Sequence, residues 1–328
     1  MAWEYSYFGL PLGICIGSTL KLAARTLRQH AGGDLQRADI IHAHKLSCEA
    51  IVAQRCLTGN QKLTVSIRGS SDVKIARFHP IARALMREAL QQAKSVLWVS
   101  AWARASLEKL GLRCGSRSKS TLFPNTITMT PLDDQCAADQ AHSGPIRLCS
   151  IFRLEHYKLK GLPELLAALA QLRASGHDLR LELIGGGTPL RAQQIQSLID
   201  RLGLQKAVRM LGALPREQVR AALPMYDAMV LPSRNETFGL AYLEALSAGV
   251  PVLYAFGTGI DGYLDDNCGA IGAHPGSVES IEQAILTLVT ENRLLKENAR
   301  TYWSTTGKDY FSRERACERY LTYVLHAD

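Results

Sequence analysis

Residues 227–255 read DAMVLPSRNETFGLAYLEALSAGVPVLYA, and the rest of the chain becomes intelligible around them. Ala228–Leu231 is a short apolar run closed by Pro232-Ser233, which predicts a buried strand ending in a turn. From Gly239 to Ala248, apolar residues at 240, 243, 246 and 248 carry the spacing of a helix packed on a sheet. Gly249 stands where a C-terminal cap belongs, Pro251 follows, and Val252-Leu253-Tyr254 begins the next strand. The stretch is a strand–helix–strand unit with Arg234–Phe238 as the loop at the first strand's carboxyl end. Open parallel sheets bind ligands at such ends. The unpaired N–H groups of a helix start favour an anion such as a diphosphate. Glu236 and Glu244 would repel a phosphate, and suit hydroxyl groups that need acceptors. Taken alone, two glutamates at this spacing also fit a solvated surface helix.

Working outward, strands and helices alternate on both sides. Ala38–Ala43, Leu63–Ile67, Ser95–Val99 and Ser120–Phe123 read as strands, with helices through Ala50–Cys56 and Ala101–Leu110. After the polar, aperiodic Pro131–Pro145 come strands near Ile146–Phe152, Leu179–Ile184, Val208–Leu211, Ala228–Leu231 and Val252–Tyr254. Helices near Pro163–Ser175, Leu190–Leu202, Arg216–Leu223, Leu240–Ala248 and Val278–Thr290 lie between or after them. The alternation predicts α/β architecture with an open, mostly parallel sheet in each half. A chain of 328 residues accommodates two domains of about 150 residues each. The expected division is 1–143, 144–310 and a closing helix within 311–328.

With 47% hydrophobic and 21% charged residues the composition is that of an ordinary soluble domain protein. Its net charge of +8 is unevenly spread. Residues 1–130 hold 18 Lys/Arg against 7 Asp/Glu, and the remainder 20 against 23. A basic first half suggests an anionic partner, although basic surfaces are common. Leu20, Ala24 and Leu27 with Lys21, Arg25 and Arg28 make a basic, weakly amphipathic helix, either lying on a membrane or packed on a sheet. Eight scattered cysteines without a C-x-x-C pair read as reduced thiols of a cytoplasmic protein. No apolar run reaches spanning length, and Glu4 with no basic start argues against a signal peptide. No nucleic-acid-binding motif accompanies the basic half.

The run from Glu236 through Phe238-Gly239 and Glu244 to Ala248-Gly249-Val250-Pro251-Val252 resembles the glutamate–seven–glutamate signature of glycosyltransferase family 4. That family comprises retaining glycosyltransferases of the GT-B fold: two Rossmann-like domains facing a central cleft. Arg153 and Lys160-Gly161 resemble its diphosphate element, with Lys158 as an alternative to Lys160. Gly185-Gly186-Gly187 resembles its glycine-rich turn beside the nucleotide, and also fits a plain tight turn. The Gly212-Ala213-Leu214 turn resembles the one through which relatives hold the base. Asp39-Ile-Ile-His42-Ala-His44 resembles a strand ending in histidines, and Arg68-Gly69 stands where many relatives have His-Gly.

The resemblance implies roles. Arg153 and Lys160 would hold the diphosphate, Glu244 the ribose, and Glu236 with the N–H groups of Phe238, Gly239 and Leu240 the donor sugar; Thr237 lies within that loop, and His44 would stand near the transferred sugar. It implies a nucleotide-diphosphate-sugar donor, a saccharide or lipid-linked acceptor and synthesis of a polysaccharide, glycolipid or other glycoconjugate. It also implies no cofactor and, without an Asp-x-Asp motif, no metal. Two departures stand out. Gly257-Thr-Gly259-Ile-Asp261 replaces the usual Gly-Gly-x-x-Glu, and no Gly-Gly loop follows an opening strand, so the first domain is expected to lack its first βαβ unit. Donor binding by an incomplete enzyme that needs a partner protein is therefore the second reading. An anionic membrane, at the inner face, is the expected surface partner.

Overall fold

The computed structural model describes residues 16–128 and 144–326; the opening segment and nearly all of the polar stretch 131–145 lie outside the described residues. The chain divides into two compact units, one of Met1–Asn125 with Glu314–Asp328, the other of Thr126–Arg313.

Unit 1 runs α1 (Ile16–Arg37), β1 (Ile40–Ala43), a π-helical turn (Leu46–Ala50) continuing into α2 (Ile51–Cys56), and β2 (Lys62–Ile67). It continues through α3 (Ser70–Phe78), α4 (Pro80–Gln92), β3 (Ser95–Trp98), α5 (Ala101–Lys109) and β4 (Lys119–Leu122). The sheet is parallel throughout, in the order β1-β2-β3-β4. Leu63, Val65 and Ile67 of β2 and Val96 and Trp98 of β3 are fully buried, because parallel strands are covered by helices on both faces. The basic helix α1 buries Leu20, Ala24 and Ala31, and Leu20 joins the unit's core. It is packed on the unit, with its charges outward. Two helices unread in the sequence, α3 and α4, fill the crossover between β2 and β3; Pro80 opens α4 at a position where the missing N–H costs nothing. The chain's closing segment returns here: Ser95 Oγ donates to the carbonyl of Tyr323, and Lys119 Nζ to that of His326 at 3.0 Å.

Unit 2 contains β5 (Ile146–Ile151), α6 (Leu162–Ala174), β6 (Leu179–Ile184), α7 (Pro189–Arg201), β7 (Val208–Gly212) and α8 (Arg216–Ala222). Then follow β8 (Ala228–Val230), α9 (Leu240–Ser247), β9 (Val252–Ala255), β10 (Ala270–Ala273), α10 (Val278–Thr290) and α11 (Asn292–Tyr302). All strands are parallel, ordered β10-β9-β8-β5-β6-β7. From β5 the chain winds outward to β7, then returns to lay β8 on the other side of β5. The strand order reverses at β5/β8, where adjacent crossovers diverge and leave a crevice at the carboxyl ends. Helix α6 buries Leu162, Leu165, Leu166, Leu169 and Leu172 along one face. Strand β10 and helix α11 were not anticipated: Ala-Ile-Gly-Ala is too short and glycine-broken to signal a strand.

Candidate functional site

The crevice at β5/β8 is built by three loops that lock together. The chain leaves β5 through Phe152-Arg153, makes a single 3₁₀ turn at Leu154–His156 and enters α6 through Gly161. Gly161 has φ +72°, and a Cβ there would lie 2.2 Å from the carbonyl oxygen of Pro232, so only glycine lets the two loops close. Across that contact the Arg234 N–H donates to the Leu159 carbonyl at 2.8 Å, and Ser233 Oγ to the same carbonyl at 3.3 Å. The third loop follows β9. Thr258 Oγ1 accepts from the Glu236 N–H at 2.7 Å and donates to the Glu236 carbonyl at 3.0 Å, while the Gly259 N–H reaches that carbonyl at 2.9 Å. The backbone of Glu236 is thus fixed from the β9 side by a buried threonine, which only tertiary pairing reveals.

Glu236 also receives the Thr237 N–H on Oε1 at 3.0 Å, and its Oε2 forms an ion pair with Lys160. The pair is only 16% and 17% exposed at the side chains, shielded enough for the two charges to matter to each other. Lys160 joins the glutamate loop through this contact, whereas Lys158 is exposed, with Nζ 5.8 Å from the centre of the Tyr157 ring. Arg153 is exposed at the end of β5, with no ion pair among the described residues. Glu244, one turn into α9 and 13% exposed, accepts from Arg216 Nε at 3.0 Å and Nη2 at 2.7 Å, both on Oε1. Arg216 opens α8, and its partnership with Glu244 spans 28 residues, so no local pattern announced it.

The glycine-rich turn after β6 is drawn against the same crevice. Gly185 has φ +151° and a Cβ there would stand 1.7 Å from the Phe152 carbonyl oxygen, so the turn touches the β5 loop backbone to backbone. The Leu154 N–H donates to the Gly186 carbonyl at 2.9 Å, and Glu155 Oε1 accepts from the Thr188 N–H at 2.8 Å. That bond, the largest cause, holds the Glu155 carboxyl below its ordinary range. On its far side the Gly185 N–H bonds the Gly212 carbonyl at 2.8 Å, and a Cβ on Gly186 would sit 3.1 Å from that of Ala213. A bulge between Leu183 and Ile184 sets this register. Arg153, Lys160, Gly185, Gly186, Gly187, Ala213, Glu236, Thr237, Phe238, Gly239, Leu240 and Glu244 therefore lie along the carboxyl edge of one sheet.

Phe238 is 1% exposed, stacked edge-on against Tyr263 and Phe311 at ring distances of 5.4 and 6.2 Å. It anchors the loop from beneath. Tyr242, also buried, donates its hydroxyl to the Leu231 carbonyl at 2.7 Å, and burial raises its pKa well above the ordinary value. Asp261 accepts from the Gly257 N–H at 2.7 Å and closes its own turn.

His44 belongs to unit 1. It is exposed just past β1, its ring stacked on His42 at 4.3 Å, and its N–H donates to Glu49 at 2.7 Å. His42 shares a hydrogen bond with Ser66 Oγ at 2.8 Å and another with the Tyr320 hydroxyl at 3.1 Å. Burial, then the charges of His44 and Arg68, lower its pKa from 6.5 to about 4. The imidazole is neutral at neutral pH. Among the described residues no cluster of His, Cys, Asp and Glu is arranged to hold a metal ion, and no helix is long and apolar enough to cross a membrane.

The sequence is 30% identical to the glycogen synthase of Mycobacterium tuberculosis H37Rv over 177 residues, 53% of this chain and 41% of the relative. It is 31% identical to the lipopolysaccharide glucosyltransferase WaaG of Escherichia coli K12 over 151 residues, 44% of this chain and 39% of WaaG. The chain thus spans about two fifths of these curated relatives' length. Its structure is similar to that of sucrose-phosphate synthase from Thermosynechococcus elongatus, with a TM-score of 0.73 at 19% identity, covering 98% of this chain and 84% of the other. A crystal structure of Anabaena HepE in complex with UDP aligns with a TM-score of 0.69 at 17% identity, covering 97% and 85%. These likenesses give the fold, an α/β architecture of the GT-B class. The profile of the glycosyl transferases group 1 family matches residues 135–309, more than half of the 328, and the chain belongs to that family.

Proposed function

We propose that this chain transfers a sugar from a nucleotide-diphosphate sugar to an acceptor hydroxyl with retention of configuration. One observation carries the reading: Arg153, the Lys160–Glu236 pair, the glycine-rich turn and Glu244 converge where the strand order of unit 2 reverses. Arg153 and Lys160 place two cations by the position a diphosphate would take, where they stabilise the charge that develops as the glycosidic bond breaks. Glu244 keeps Oε2 available for ribose hydroxyls while Arg216 holds Oε1. Glu236, locked by Thr258, accepts from hydroxyls of the donor sugar. Attack comes from the face the phosphate leaves, and the leaving phosphate takes the acceptor's proton; neither a metal nor a separate base is needed. That Anabaena HepE was crystallised with UDP supports a nucleotide donor.

Titration of the whole chain with UDP, ADP and GDP tests the site. Glu244→Ala should weaken the preferred nucleotide by about 1–3 kcal/mol, and Arg153→Ala should lower turnover more than it raises the donor KM. Unchanged affinity in folded Glu244→Ala would reject its role.

Donor binding without independent transfer is the second reading. It is favoured by the sheet of unit 1, whose described strands run in one direction, β1 to β4, without a reversal of order.

A further inference from the structure

A hollow of about 780 Å³ opens in unit 1 at the amino-terminal ends of β3 and β4, at the opposite edge of the sheet from His44. Arg87, Lys94, Arg113 and Arg117 line it, and none of its lining side chains is acidic. Helices α4 and α5 end at its rim, and their carbonyl ends attract cations; each end is worth about half a negative charge. Two such ends offset about one of the four positive charges, leaving an excess of about three. No ion pair among the described residues engages any of the four side chains; Arg87 spends one N–H on the Gly111 carbonyl at 3.2 Å.

The wall is built rather than loose. The Gly115 N–H meets the Leu90 carbonyl at 3.4 Å, Ser118 Oγ donates to the Ala93 carbonyl at 2.5 Å, and the Lys119 N–H reaches the Lys94 carbonyl at 2.8 Å. A Cβ on Gly115 would lie 2.6 Å from the Gln91 carbonyl oxygen, so the loop presses directly on the end of α4. The volume suits a small molecule. No aromatic side chain lines the hollow for a base to stack on, and little apolar surface is offered to an acyl chain.

From this geometry we infer that the hollow is an anion site for a phosphate-bearing group of two or more negative charges. The site lies within unit 1 and is independent of the donor crevice. Its ligand is either a soluble phosphorylated compound or the phosphate headgroup of a lipid; both present the same oxygens to the same guanidinium groups.

Calorimetric titration of the full chain with inorganic pyrophosphate tests the site, run in wild type, Arg113→Glu/Arg117→Glu and Arg153→Ala/Lys160→Ala. The expected result is a binding step lost, or weakened tenfold or more, in the first variant and retained in the second. The step should also fade as salt rises. Sedimentation with vesicles carrying phosphatidic acid, against phosphatidylcholine alone, separates the sources: capture that the first variant loses identifies a headgroup ligand, and pyrophosphate binding without capture a soluble one. If the charge reversal prevents a cooperative melt, Lys94→Gln/Arg117→Gln takes its place. Pyrophosphate binding and vesicle capture both unaffected by these changes would overturn the site. Loss in the second variant alone would assign pyrophosphate to the donor crevice and overturn it equally.

Discussion

Lys160 and Glu236 are largely shielded from water and each is the other's charge partner. Removing one leaves the other charged and uncompensated, which costs more than the pair itself contributes. Lys160→Met should therefore lower stability by about 1–3 kcal/mol, and adding Glu236→Gln should restore part of the loss. Urea midpoints of the two single variants and the double variant measure this; simple additivity would show that the pair is not coupled. Arg216 is 62% exposed, so its pairing with Glu244 contributes little to folding and serves chiefly to orient the carboxylate. His42 makes a prediction in pH. Its ordinary pKa of 6.5 falls to about 4 in the fold, so the unfolded chain takes up the proton first as pH drops. The stability it supports is fully present above about 6.5 and drains away toward 4. Urea midpoints measured from pH 7 to 4.5 should fall more steeply for the wild type than for His42→Phe; parallel slopes would assign the acid sensitivity elsewhere.

At the scale of elements, the crevice depends on loops being able to touch. The β5 loop meets the β8 loop at Gly161 and the β6 turn at Gly185, each with positive φ and each against a carbonyl oxygen. A methyl group at Gly161 meets both a left-handed backbone and the Pro232 carbonyl, so the loop must shift. Gly161→Ala should cost about 1–3 kcal/mol from strain alone and move Lys160 away from Glu236. Thermal melts and nucleotide titration together check this; a variant with unchanged melting and unchanged affinity would mean that the loop does not need the contact. The β9 loop adds hydrogen bonds from Thr258 and Gly259 to Glu236, and it too closes at a positive-φ glycine: a Cβ on Gly259 would lie 3.1 Å from Glu236 Cγ.

For the molecule as a whole, nucleotide binding and sugar transfer should be separable. Every proposed nucleotide contact lies between residues 153 and 244, within unit 2. The chain should bind a nucleoside diphosphate in plain buffer, yet transfer slowly to a soluble acceptor until an anionic surface is supplied. The basic excess of residues 1–130 would draw that surface in, at about 1 kcal/mol for each Lys or Arg brought near it. Transfer assays with and without anionic vesicles at low and high salt check the expectation. Rapid transfer in their absence would show that the chain needs no such help.

The α/β class, the parallel strands, the loop that carries Glu236 and the helix that carries Glu244 were legible in the sequence, because these follow from local periodicity, turn residues and short-range spacing. Apolar runs closed by Pro232-Ser233 or opened by Gly161 can form little else. Strand β10, helix α11 and the two-helix crossover between β2 and β3 stayed hidden, since their burial comes from neighbours rather than from a strong pattern of their own. The tertiary structure alone decided which side chains meet. Lys160 finds Glu236 across 76 residues, Arg216 finds Glu244 across 28, Thr258 holds Glu236 across 22, and Tyr320 reaches His42 across 278. Pairings at such separations depend on strand order and loop closure, which the parallel sheets impose only once folded.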